Sequence, residues 1–233
     1  MEILVIASGS SGNAYRISDG KTSLLLDAGI PFKAIQRGVG FRVRQISACL
    51  ITHAHSDHVR GARELAGNGI DIYISEGSAE AAGLIGHRIH RVSPLKAFTV
   101  GTLEILPFDV QHDAPDPLGF FINSTLTGER LLYFTDTYYL KYTFPGITHI
   151  MGECNHSKEG IRDSIATGRI TPELAARLVK SHMSIYRLEE MLEANDLSKL
   201  RQIYLLHLSE NNSRPEEFKQ RIAALTGAEV YLT

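Results

Sequence analysis

The chain has 233 residues, of which 43% are hydrophobic and 21% charged, with a formal net charge of -2 at pH 7. That length is ample for a sizeable core, and the balance is that of an ordinary folded protein. It excludes a global positive field that would recruit nucleic acid, so any such partner has to be held by a local basic face.

In chain order, "EILVIAS" is an apolar, β-branched first strand, and its lack of a basic start or a small-residue cleavage site argues against a signal peptide. "GSSGN" is a turn, "AYRISDG" alternates, and "KTSLLLDAG" is a buried run ending at Asp27. "PFKAIQRGV" opens with a proline and reads as a short helix. "ISACLITH" is a buried strand that delivers His53. "DHVRGARELAGNG" reads as one helix closed by glycine, "DIYISEG" as a strand, and "SAEAAGLIG" as a helix with Ser78 as its cap. "KAFTVGTLEILPFDVQH" reads as two strands joined at Gly101 and ending at His112. "LGFFINST" and "RLLYFTD" read as a hairpin pair, and "ITHIMGECNH" as another strand. Two amphipathic helices follow in "TPELAARLVKSH" and "SIYRLEEMLEAND", then the strand "LRQIYLLHLS", the helix "RPEEFKQRIAALTG" and a last strand, "EVYLT".

No segment approaches the ~18 apolar residues of a membrane span. No internal repeat or low-complexity linker divides the chain, so one domain over residues 1–233 is expected. The order of elements predicts an α/β protein: an αββα sandwich of two mixed β-sheets with outer helices. Cys49 and Cys154 are expected as free thiols in a cytoplasmic protein.

The stretch "LITHAHSDHVRGA" packs His53, His55, Asp57 and His58 into six positions. Histidines at i and i+2 past a strand end can turn to one side and grip one ion. Asp57 and His58, on the first turn of a helix, would project differently and could grip a second. Structural zinc sites are usually rich in cysteine, and no cysteine lies beside this cluster. Imidazole and carboxylate ligands suit zinc, and also manganese or iron.

With these residues the sequence resembles the metallo-β-lactamase fold superfamily. The likeness continues in order through His112 in "FDVQHDAPDPLGF", Asp136 in "LLYFTDT" and His207 in "IYLLHLS". The resemblance implies two divalent ions, zinc above others. His53, His55 and His112 would hold one, Asp57, His58 and His207 the other, with Asp136 bridging them. Such a pair can share a hydroxide that attacks the substrate. Asp27 would orient a ligand histidine.

Three further features bear on the reaction. His182 precedes a helix in "KSHMSIYRLEEML", with Ser184 as its cap. Glu153 in "THIMGECNH" matches the glutamate that tRNase Z-like enzymes pair with such a histidine. A Glu153–His182 pair would orient and charge the imidazole. The loop "ASGSSGN" is either a plain turn or, through Ser10, Ser11 and Asn13, a phosphate-receiving loop. With "HDAPDPLGF" and "HLSENN", these features most resemble the WalJ/YycJ-type branch of bacterial metallohydrolases, a group regarded as DNA exonucleases. The sequence departs from that pattern at Ser181-His182-Met183-Ser184-Ile185 and at Asn155-His156-Ser157. The interval 112–136 is too short for the tRNA-holding arm of many tRNase Z enzymes, and 136–207 leaves little room for an added RNase J-type domain.

The resemblance thus implies a two-metal phosphodiesterase acting on nucleic acid, DNA ahead of RNA. Asp57, His182 and Glu153 are the catalytic candidates, and Ser10, Ser11, Asn13 and Ser184 the substrate-binding ones. The rivals are another hydrolase of the fold (a cyclic-phosphate diesterase, lactonase or thioesterase) and a module that binds DNA ends without cutting. Basic residues cluster in "RGVGFRVR", in "HRIHR" and at Arg60 and Arg63. They either track a phosphate backbone or form a solvated mixed-charge surface.

Overall fold

Buried apolar strands that stop where a ligand-type side chain begins are the organising feature of the chain. The computed structural model describes residues 1–233. The strands form two mixed β-sheets flanked by helices, the α/β arrangement expected from the order of elements. The chain packs as two compact units, Met1–Asp109 with Ala114–Glu129, and Val110–Asp113 with Arg130–Thr233. No helix is long and apolar enough to cross a membrane.

In the first unit, β1 (Glu2–Ala7), β2 (Ala14–Ser18) and β3 (Ser23–Leu26) pair antiparallel. The chain then passes through α1 (Phe32–Gly38) into β4 (Ala48–Leu50), through α2 (Ser56–Val59) and α3 (Ala62–Gly67) into β5 (Asp71–Ser75), and through α4 (Glu76–Ala81) into β6 (Ile89–Val92). Strands β3 to β6 run parallel in sequence order. Parallel strands covered by crossover helices need apolar side chains on both faces, and "SLLL" and "ACL" supply them, buried at every position. Leu25, Cys49, Ile72 and Ile74 pack with Phe32, Ile35 and Leu65 in one core cluster. Truncating any of the buried leucines or isoleucines to alanine costs about 2–5 kcal/mol. Register is what matters for function: Leu26 stands opposite Leu50, so β3 and β4 end together, one leading into Asp27 and the other into His53. The unit also holds the antiparallel run β7 (Phe98–Val100), β8 (Leu103–Asp109) and β9 (Leu118–Ser124).

The second unit is built on β10 (Arg130–Phe134), β11 (His149–Glu153), β12 (Gln202–Leu206) and β13 (Glu229–Leu232), all parallel and adjacent in that order. Between β11 and β12 lie α5 (Lys158–Ala166), α6 (Pro172–Ser181) and α7 (Ile185–Glu193), and α8 (Pro215–Thr226) lies between β12 and β13. Gly227, at φ 69°, closes α8 in the left-handed conformation that glycine adopts without strain.

Three sequence expectations need correction, and one left open is decided. The segment after His55 is two short helices, because Gly61 donates its N–H to Ala28 O at 2.7 Å and breaks the turn. The cap of α4 is Ser75, whose Oγ accepts from Ser78 N. His112 does not end a strand, since β8 stops at Asp109. Strand β6 occupies part of the "HRIHR" cluster, where Arg88 and His90 meet Asp71, and Arg91 meets Glu76. That cluster is therefore mixed-charge surface. Helix α5 was not legible as a helix in the sequence, although Ser157 caps it by accepting from Gly160 N at 3.0 Å.

Candidate metal centre and its surroundings

In the first unit the site grows from the ends of β3 and β4. Asp27 follows β3 at φ 56°, a left-handed conformation that costs a non-glycine residue energy and clusters at functional sites. Its carboxylate is fully buried. Oδ1 accepts from Thr52 N at 2.8 Å and from Thr52 Oγ1 at 3.0 Å, and Oδ2 faces His58 Nδ1 at 2.8 Å. An ionised carboxylate only accepts, so His58 carries its proton on Nδ1 and presents Nε2 as a lone pair. Thr52 does the same for His53: its Oγ1 stands 3.0 Å from His53 Nδ1. With its hydrogen directed to Asp27, the hydroxyl accepts from that ring and leaves His53 Nε2 as a lone pair.

Two nitrogens held 2.0–2.1 Å from one tetrahedral ion stand about 3.3 Å apart. His53 Nε2 and His55 Nδ1 are 3.1 Å apart, and His58 Nε2 and Asp57 Oδ2 are 3.4 Å apart. Both pairs therefore have the spacing of donors that share a cation, and imidazole with carboxylate suits a divalent one.

The loop 8–13 packs under this group. Asn13 is buried; its Oδ1 accepts from Gly9 N and Tyr15 Oη, and its Nδ2 lies 3.2 Å from His58 Nε2. It braces the loop from within. Ser10 and Ser11 instead line a cavity of about 580 Å³ together with Ser56, Asp57, Arg60 and Arg63. Gly29 is what lets this loop close. A Cβ on Gly29 would stand 1.6 Å from Asp57 O, so the two backbones abut.

In the second unit, Glu153 ends β11 between two parallel neighbours and is fully buried. Its Oε1 lies 2.6 Å from His182 Nδ1 and 3.2 Å from His207 Nδ1, while Oε2 accepts from Thr137 N and Met183 N. Asp136 and His207 follow β10 and β12, both at positive φ (49° and 53°). Asp136 Oδ1 stands 3.2 Å from His182 Nδ1 and 3.4 Å from His207 Nδ1. One ligand atom from each of Asp136, Glu153, His182 and His207 falls within 4.8 Å of the other three. Thr137 Oγ1 accepts from Gln111 N, which ties the segment bearing His112 to the one bearing Asp136. The rings of His112 and His182 are 6.2 Å apart. His182 sits between α6 and α7, with Ser184 capping α7 by accepting from Arg187 N.

Burial alone would push His182 down, but the charge of Glu153, with hydrogen bonds accepted by Asp136 and Glu153, raises it to about 10. Burial likewise opposes the ionised form of Glu153, and His182 outweighs it, holding the carboxyl below its ordinary value. The pair thus stands as imidazolium and carboxylate. Burial also works against the charge on His207, but Asp136 and Glu153 raise it.

Sequence reasoning missed Thr52 and Thr137, whose hydroxyls organise the two groups. It also did not use Asn155, which donates from Nδ2 to His207 O at 2.9 Å. Thr52 had a signal, a hydroxyl directly before a run of ligands; Thr137 likewise follows Asp136 directly.

Imidazoles and carboxylates gathered largely past the C-terminal ends of strands, in two mixed sheets with outer helices, make the arrangement of a metallohydrolase fold. A family model described as the β-lactamase superfamily domain matches residues 22–208, and the chain belongs to that superfamily. It is 30% identical over 229 residues to the exodeoxyribonuclease YycJ of Bacillus anthracis, covering 91% of this chain and 84% of that one. It is 30% identical over 227 residues to the exodeoxyribonuclease WalJ of Streptococcus pneumoniae, covering 91% and 83%. Among solved structures, the metallo-β-lactamase fold protein YhfI of Bacillus subtilis superposes with a TM-score of 0.73 at 16% identity over 99% of this chain and 95% of that one. The short form of human tRNase Z does so at 0.67 and 14%, over 100% and 96%. At these identities the two structures speak for the fold alone.

Proposed function

We propose that this metal-dependent hydrolase of the β-lactamase superfamily cuts phosphodiester bonds in nucleic acid, as a DNA exonuclease. The observation that carries the reading is the Glu153–His182 pair, a buried carboxylate 2.6 Å from an imidazolium. An imidazolium held in place at the site can give its proton to the alkoxide that departs from phosphorus. The names of the two relatives at 30% identity support DNA as the substrate.

The donor sets fit two divalent ions, zinc first with manganese or iron as alternatives, and the ligand assignment implied by the family resemblance belongs to this proposal. Such ions would supply Lewis acidity and positive charge toward the oxygens of the scissile phosphate. The chain's own residues do the rest. Asp27 and Thr52 fix the tautomers of His58 and His53, so ligand nitrogens are aimed before any ion arrives. Glu153 holds His182 by Nδ1, which leaves the Nε2 hydrogen to be given to the departing oxygen. Asp57, beside His58, is the carboxylate that faces the reacting centre. Ser10, Ser11, Arg60 and Arg63, gathered around the 580 Å³ cavity, offer hydroxyls and guanidinium groups to neighbouring phosphates.

The test is a side-by-side assay of the metal-loaded protein on bis-p-nitrophenyl phosphate, duplex DNA, RNA, a lactone and a thioester. Turnover of the diester and of DNA, lost on chelation, is expected. Turnover of only the lactone or thioester would assign the chain to another branch of the superfamily.

A further inference from the structure

A second cavity, of about 470 Å³, opens beside His182 and lies wholly within the second unit. Its volume falls in the ~300–1,000 Å³ range of small-ligand sites. Lys158, Arg162 and Arg187 face it with Glu190 as the single acidic group among its lining. Arg187 is taken up by Glu190 at 2.6 Å. Lys158 and Arg162, both exposed on α5, are then the positive charge the cavity offers. Tyr186 is already covered, with Lys158 Nζ and the Arg221 guanidinium each 5.0 Å from its ring. Tyr138 keeps 39% of its surface open and Val179 52%, which gives the cavity an aromatic and an aliphatic wall. His156, also in the lining, is 2% exposed, and its Nδ1 has no hydrogen-bond partner. A buried polar atom left unmatched at a cavity wall is a place for a ligand atom.

From this we infer that the cavity receives the terminal nucleotide of a nucleic-acid strand. The base packs against Tyr138 and Val179, and its phosphate meets Lys158 and Arg162. Every base has a π-face, so stacking on tyrosine is tolerant of sequence, and the two cations supply the charge a phosphate needs. Because His182 belongs both to this lining and to the Glu153 pair, a nucleotide seated here presents its scissile bond to the acid. The inference rests on the nucleic-acid reading above and specifies which part of the strand the second unit grips.

Equilibrium dialysis with 5′-deoxyadenosine monophosphate, deoxyadenosine and inorganic phosphate tests it, on the wild-type protein and two variants. The wild type binds the monophosphate at least tenfold tighter than either fragment. Lys158→Ala with Arg162→Ala lowers it to the level of the nucleoside, and Val179→Trp, which fills the cavity, weakens the nucleotide and the nucleoside together by tenfold or more. All three side chains are exposed, so matching thermal melts check that the fold is intact. A short single-stranded oligodeoxynucleotide competes with the monophosphate. Monophosphate binding that neither variant changes, or an oligonucleotide that does not compete, overturns the inference. If the binding pattern holds but no DNA is cut, the nuclease reading fails alone; if DNA is cut but the variants bind normally, the cavity assignment fails alone.

Discussion

Glu153 and His182, separated by a helix pair in sequence, meet through Oε1 and Nδ1 at 2.6 Å at the buried end of β11. The contact sets the charge of both partners. In the metal-free protein His182 is raised from 6.5 to about 10, after burial has been overcome by Glu153 and Asp136. A raised folded-state value means that the stabilisation is full below the unfolded value near 6.5. It is lost as pH rises through about 10. NMR titration of the ring is expected to show imidazolium well above pH 7, and Glu153→Gln to lower the midpoint. In the loaded enzyme, Glu153→Gln is expected to cut turnover of DNA by about 10²–10⁴-fold. An unchanged midpoint in the variant would separate the two residues.

In the proposed metal centre, Asp27 acts through His58. Removing it in Asp27→Ala frees the Nδ1 proton that now goes to its carboxylate at 2.8 Å. Metal affinity is expected to fall about 10–100-fold, read by competition with a chromogenic chelator. Asp27→Asn restores a hydrogen-bond acceptor without the charge and should recover part of the loss.

Gly29 is fixed by the approach of two backbones. Gly29→Ala places a methyl where Asp57 O stands, at 1.6 Å, and neither chain can yield without moving His58. A loss of about 3 kcal/mol is expected, seen as a drop of about 6–12 °C in melting temperature. Gly67→Ala, where a Cβ meets nothing within 4 Å, is the control that should melt near the wild type.

Asp19 carries a pH-dependent share of stability. Burial would raise its carboxyl, but Thr102, Thr22, Ser124 and Lys21 donate to it and lower it from 3.8 to about 2. A lowered folded-state value gives stability that is full above about pH 4 and is lost as pH falls through about 2. Asp19→Asn should therefore cost about 2 kcal/mol at pH 7. Denaturant melts of the two proteins should converge near pH 2.

The sequence showed most of the sheet and nearly all of the metal-type residues, for a physical reason. Parallel strands buried on both faces are short apolar runs, and a polar side chain just past a strand end follows such a run closely, as Asp27, His53 and His207 do. What it hid depends on the third dimension. Thr52 and Thr137 act through hydroxyls aimed by neighbouring strands, and a lone threonine carries no signal of that. Helix α5 starts directly after a stretch read as strand, and its capping serine, Ser157, is the first residue past that stretch. The basic run at "HRIHR" left a phosphate-tracking face and a mixed-charge surface equally open, and the choice needed Asp71 and Glu76 beside it. Arg60 and Arg63 line one cavity with Asp57, and only folding brought Ser10 and Ser11 to them.

The most direct test of the account is cleavage of end-labelled duplex DNA by the metal-loaded protein beside His182→Ala, with metal content measured on both. The account predicts release of mononucleotides by the wild type, and a variant that keeps its metal but loses about 10²–10⁴-fold in turnover. A variant that cuts at the wild-type rate, or one that is slow because it has lost its metal, would contradict the assignment of His182 as the proton donor.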